Sequence, residues 1–223
     1  MIPDPPHIKD PHNLTADFPF PNFGIFASDL QIGILQNHHL LAHYIGVAAH
    51  TFLVYTSPTT TKLFTELTDL IWDRFPTIRV EKLAHGVYGL VTVTRPGVHP
   101  TISVSRDLVC AFETMHPNSE DFHKLRVIVA TTLLHELSHT IQTFFWGSKS
   151  PICLARAGEE EGESGWLLEA TVFCGMAGVY FKAKKYEGKY SQFRGIYLKN
   201  LDDELKIHVP GKLAGSAYPQ KHI

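Results

Sequence analysis

Between Ser119 and Trp146 the chain runs without a proline or a glycine, and the regular structure that suits so long an uninterrupted stretch is a single long α-helix. Ser119, Glu120 and Asp121 stand at its start, where a side-chain acceptor and negative charge satisfy the first backbone donors and the helix dipole. Whatever fold the rest of the chain adopts must be built around this rod.

On its N-terminal side the apolar residues Leu30, Ile34, Leu35, Leu41, Ile45 and Phe52 predict helix from about Ser28 to Tyr55, as one piece or as two broken near Gly46. A further helix is expected from Lys62 to Phe75, ended by Pro76. The period then changes. Thr77 to Leu83, Gly86 to Thr94 and Thr101 to Val109 alternate β-branched with polar residues and are separated by Gly or Pro, which predicts a small sheet ahead of the long helix. Beyond the helix, a polar linker with Gly147, Pro151, Gly158 and Gly162 precedes an apolar run, Trp166 to Phe181, expected to be helical and capped by Ser164. From Tyr186 to Ile223 no clear period emerges, so irregular structure with one short strand or helix is expected. Helices and strands in separate runs make the fold class α+β.

A chain of 223 residues with 44% hydrophobic content is long enough for one domain with a real core. The prolines of the opening segment exclude helix there, so residues 1–27 are expected to form an irregular arm and residues 28–223 the domain. Twenty basic against 22 acidic residues, with no dense Lys/Arg block, argue against nucleic acid as a partner. No stretch suits a membrane span or a secretory signal, and Cys110, Cys153 and Cys174 are too scattered for a disulfide framework. A soluble protein of a reducing, cytoplasmic compartment is expected.

Inside the long helix stands Leu134-His135-Glu136-Leu137-Ser138-His139-Thr140, an H-E-x-x-H pattern. Four residues advance a helix by just over one turn, so both imidazoles leave the same face and can converge on one ion. Neutral imidazole suits Zn²⁺, and a catalytic zinc keeps three protein ligands and one open position. Glu136 is expected to take a proton from the zinc-bound water without binding the metal itself. Val127, Leu133, Leu134, Leu137, Ile141 and Phe144 supply apolar faces that would fix the ligands against a core.

A third ligand is needed, and two carboxylates downstream qualify. Glu169 is the one charge in the apolar run from Trp166 to Phe181, and a lone carboxylate in such surroundings requires a cation. Glu163, just before the expected cap, would reach the ion only if its loop folds back, and it is also explained by the helix dipole alone.

His135, Glu136 and His139, followed after a linker by a glutamate on the next helix, resemble the gluzincin branch of the zincin metallopeptidases. The resemblance covers at most Val87 to Phe181. It implies that His135, His139 and Glu169 are ligands and Glu136 the general base. It also implies a zincin-like single domain, with a small mixed sheet beside the motif helix whose edge strand aligns a peptide substrate. The His139–Glu169 interval is longer than in thermolysin-like members, and neither the histidine extension of metzincins nor the inverted motif of inverzincins is present.

The remaining candidates are weaker. Of His38, His39, His43 and His50, the pair His39 and His43 repeats the i,i+4 geometry, but no neighbouring acid serves as a base, so ordinary polar or partly buried histidines are expected rather than a second metal centre. Tyr190, Tyr197 and His208 follow the ligand helix and are candidate donors to a developing oxyanion. The function these features point to is zinc-dependent hydrolysis of a peptide bond. The alternatives are a zinc hydrolase of a non-peptide amide or small molecule, and a noncatalytic zinc-stabilised binding protein.

Overall fold

A computed structural model describes residues 20–52, 60–84, 86–92, 100–147, 164–173, 176–181, 193–199 and 206–208. The elements are α1 (Pro21–Gln36), α2 (His38–Phe52), α3 (Thr60–Asp73), β1 (Thr77–Glu81), β2 (Gly89–Thr92), β3 (Thr101–Ser105), α4 (Arg106–Thr114), α5 (Glu120–Trp146), α6 (Ser164–Phe173), β4 (Met176–Phe181), β5 (Phe193–Lys199) and β6 (Lys206–His208). The architecture is α+β. Helices pack around α5, and a small mixed sheet lies against it.

Helix α5 forms where the sequence requires it. Ser119 Oγ accepts a hydrogen bond from Phe122 N–H at 3.1 Å, Glu120 and Asp121 occupy the first turn, and Gly147 closes the far end at φ 83°, a conformation that favours glycine. Leu133, Leu134, Leu137 and Ile141 are buried as expected, whereas Val127 and Phe144 are exposed, and Arg74 covers the Phe144 ring with its guanidinium carbon 4.6 Å from the centroid.

Several boundaries differ from expectation. Helix begins at Pro21, inside the segment expected to be an irregular arm, because proline at the first position of a helix sacrifices no hydrogen bond. Its cap residue Phe20 supplies no side-chain acceptor. The Glu113 carboxylate of α4 accepts instead, from Phe23 N–H at 2.7 Å and Asn22 Nδ2 at 2.9 Å. The break in the N-terminal helical region falls at Asn37, not Gly46: Asn37 is extended (φ −99°, ψ 91°), and its Oδ1 accepts from Leu40 N–H at 3.0 Å to start α2. The strand expected to reach Val109 stops at Ser105, because Leu108, Val109 and Phe112 bury together on one face of α4. The helix expected from Trp166 to Phe181 ends at Phe173, and its second half is strand β4, captured by an antiparallel ladder with β5.

The first sheet has the order β1-β3-β2, with β1 parallel and β2 antiparallel to β3. Ile102 to Ser105 of central β3 are all buried, since strands flank it and α4 and α5 pack nearby. Among the described residues, strand β2 is therefore an edge of this sheet. A second sheet, β4-β5-β6, is antiparallel throughout and also touches α5 through β4 and β5. No helix among the described residues is long and apolar enough to cross a membrane.

Tyr44 ties α2 to α5. It is fully buried, and its hydroxyl donates to the Leu134 carbonyl at 2.9 Å, one residue before His135. Burial holds the phenol well above its ordinary value of 10.0, so it remains a donor through neutral pH. Tyr44→Phe should lower unfolding free energy by about 1 kcal/mol at pH 7, measured by denaturant titration. Because the folded pKa lies above the unfolded one, the stability Tyr44 contributes is present below pH of about 10 and is lost as pH rises beyond it. The gap between wild type and Tyr44→Phe should narrow in alkali, and a constant gap would refute the assignment.

Candidate metal centre

From Thr131 to Gln142 every residue of α5 is buried except His135 and His139. The helix is packed on all sides through this segment and opens toward solvent only at its two imidazoles. Their rings lie side by side, with centroids 5.1 Å apart and planes at 60°. The i,i+4 spacing thus brings together the pair expected from the sequence.

Helix α6 grips both rings with residues from its first two turns. Glu169, 5% exposed, places Oε1 2.5 Å from His135 Nδ1. Ser164 places Oγ 3.1 Å from His139 Nδ1, and its carbonyl accepts from Ser138 Oγ at 2.9 Å. Gly165 lies against the His135 ring: a Cβ added there would stand 2.4 Å from Cδ2 and Nε2 and 2.5 Å from Cε1. Nearly equal distances to three ring atoms put that point over the face of the imidazole rather than along a nitrogen lone pair.

Glu136 points elsewhere on the helix, as its position between the histidines requires. It is buried at 7% exposure beneath the edge strand, and a Cβ added at Gly89 would come within 2.7 Å of Glu136 Cγ and Oε1 and of Thr132 Cγ2. The β2 backbone therefore passes directly over this carboxylate. Thr140 Oγ1 donates to the Glu136 carbonyl at 3.2 Å and secures the same turn.

Two imidazoles on one helix face and a buried carboxylate on the next helix form a donor set whose chemistry fits zinc. Their arrangement is hydrogen-bonded: among the described residues, no three His, Cys, Asp or Glu side chains surround a common point. Glu169 meets His135 at Nδ1, where a carboxylate orients a ring. Glu163, Tyr190, Cys153 and Cys174 lie outside the described residues. Tyr197 and His208 are opposite one another in the β5–β6 ladder. His38 and His39 are exposed on α2, and Cys110 is a free, partly buried thiol.

The contacts that sequence reasoning missed all depend on α6 docking. Ser164, expected only as a cap, is directed onto His139, and Ser138 holds its carbonyl. Gly165 left one legible signal, a glycine at the start of an apolar helix, which marks close approach of another group.

Residues 45–174, more than half of the chain, match the family model of metallopeptidase toxin 3. The class is thus metallopeptidase, which implies a metal cofactor. The chain belongs to the metallopeptidase toxin 3 family, and the matched span contains both α5 and α6. Neither the curated proteins nor the solved structures give a match.

Alanine in place of glycine inside a helix ordinarily stabilises by roughly 0.5–1 kcal/mol. At position 165 the sign should reverse. The Cβ must displace the His135 ring or α6, so Gly165→Ala should cost about 1–3 kcal/mol in a chemical denaturation experiment. An equal or higher midpoint would show that the approach relaxes freely.

Proposed function

We propose that the protein is a zinc-dependent peptidase of gluzincin type, with His135, His139 and Glu169 as metal ligands and Glu136 as general base. The observation that carries this reading is the burial pattern of α5. Over three turns of helix, the two side chains left partly open to solvent are those spaced to bind one ion, and the carboxylate between them in sequence is buried beside them. Family membership supports peptide hydrolysis, and its description as a toxin supports a protein substrate. The scattered cysteines support action in a reducing compartment such as the cytoplasm.

Zinc, when bound, would supply Lewis acidity to the scissile carbonyl and lower the pKa of a coordinated water. The chain's own residues supply the rest. Glu136 accepts the proton of the attacking water and returns it to the leaving amine, a sequence that needs one carboxylate in reach of both sites. Strand β2, an edge of its sheet, passes over Glu136 at Gly89, so an extended peptide pairing with that edge would run beside the base. Leu90 next to it is half exposed and offers an apolar contact. This edge favours a peptide over a small non-peptide amide.

A second reading of Glu169 is favoured by its bond to His135 Nδ1: the carboxylate orients the ring, and Glu163 becomes the alternative third ligand. Magnitude separates the two. Loss of an outer partner costs about 10–100-fold in metal affinity, whereas loss of a ligand should exceed that range. On the proposed reading, Glu169→Gln falls beyond about 100-fold in a chelator competition and Glu163→Gln retains most of its zinc.

Elemental analysis should find zinc at one per chain on the order of stoichiometry in the wild type, released in His135→Ala and His139→Ala. Glu136→Gln should keep its zinc and fold while peptide hydrolysis, sought first with a diverse peptide library, drops by roughly 10²–10⁴-fold. A zinc-loaded Glu136→Gln protein with full activity would remove Glu136 from the mechanism, and retention of zinc by both histidine variants would remove the metal centre.

A further inference from the structure

Ser164 begins α6, yet its hydroxyl is committed to the neighbouring helix. The residue is completely withdrawn from water, with Oγ 3.1 Å from His139 Nδ1. Its carbonyl is fixed by Ser138 Oγ at 2.9 Å, and Ser138 is itself fully buried and directly precedes His139 in the chain. One buried hydroxyl thus meets the histidine, and a second holds the backbone that carries the first. A buried hydroxyl left without a partner would be costly, so this pairing is a defined feature of the α5–α6 contact.

We propose that Ser164 is a positioning residue that selects the tautomer of His139: its Oγ accepts the Nδ1–H, which places the ring lone pair on Nε2 and directs that nitrogen to the cation. This role rests on the reading of His139 as a zinc ligand. A neutral imidazole has one N–H and one lone pair, and only the lone pair binds a metal. A ring with no acceptor at Nδ1 divides its population between tautomers, and the fraction with Nε2–H is lost to coordination. The reverse polarity, Ser164 donating to Nδ1, would put the proton on Nε2 and exclude the ion from that nitrogen.

The bond from Ser138 to the Ser164 carbonyl gives this selection its precision. It anchors the backbone from which the hydroxyl projects, so Oγ is held over Nδ1 by the same helix that carries the ring. His135 is engaged through the same nitrogen, Nδ1, by Glu169. Both rings thus meet α6 through Nδ1.

The test uses the full-length protein labelled with ¹⁵N in histidine. In metal-free wild type, ring nitrogen shifts should show His139, assigned by selective substitution of the other histidines, as the Nδ1–H tautomer. Ser164→Ala should mix its tautomers and weaken zinc by roughly 10–100-fold against a chromogenic chelator, with circular dichroism unchanged. A wild-type His139 protonated at Nε2, or a folded Ser164→Ala protein whose zinc affinity stays within about twofold of wild type, overturns the role of Ser164 while leaving the metal centre standing. Wild-type protein that takes up no zinc overturns the metal centre and this role together. If Ser164→Ala does not fold, the tautomer in the wild-type spectrum decides.

Discussion

A carboxylate and an imidazole, both largely withdrawn from water, meet between α5 and α6, and the local order of the site follows from that contact. Glu169 has few stabilising options on a helix as apolar as α6. Its bond to His135 gives the carboxylate a partner and fixes how far along α5 the second helix sits. With that register set, Gly165 comes to rest on the face of the same ring and Ser164 reaches His139. One polar contact thus fixes the ring that it touches, and the ring one turn further along α5 is fixed by the same docking.

The apolar packing around α5 makes this contact durable. Tyr44 from α2 holds the backbone just before His135, and β2 closes over Glu136. A helix packed on every side at its middle has little freedom to rotate, so the azimuths that separate the two imidazoles from Glu136 are kept by the core as a whole. The rigid scaffold and the site are therefore coupled: His135 and Glu136 are adjacent in the chain, yet one keeps a partial opening to solvent and the other is roofed by a strand.

Legibility in the sequence followed the range of the interactions. Helix α5 was readable because its determinants are local: no breaker, a serine acceptor and two acids at the start. The H-E-x-x-H face was readable for the same reason, and so was the isolation of Glu169 on an apolar helix. The start of α1 was not, since the acceptor for its first turn is Glu113, far away in the chain. Strand β4 was read as helix because its apolar residues suit either state, and its pairing with β5 decides between them. Leu108 and Val109 were assigned to a strand on β-branched character, when the burial of Phe112 beside them required a helical period. Ser164 was legible as a helix start but not as a partner of His139, because that depends on the docking of two helices.

Gly89 and Gly165 mark the two places where the backbone comes directly against Glu136 and His135. Neither sits in the left-handed backbone region that usually explains a glycine; one is in a strand and one in a helix, and what each position lacks is room for a single carbon. Every other amino acid brings that carbon, so a side chain at either position requires the His135 ring, or the Glu136 and Thr132 side chains, to move. A chain with the same motif but a side chain at either glycine would have to set its imidazole or its buried carboxylate differently.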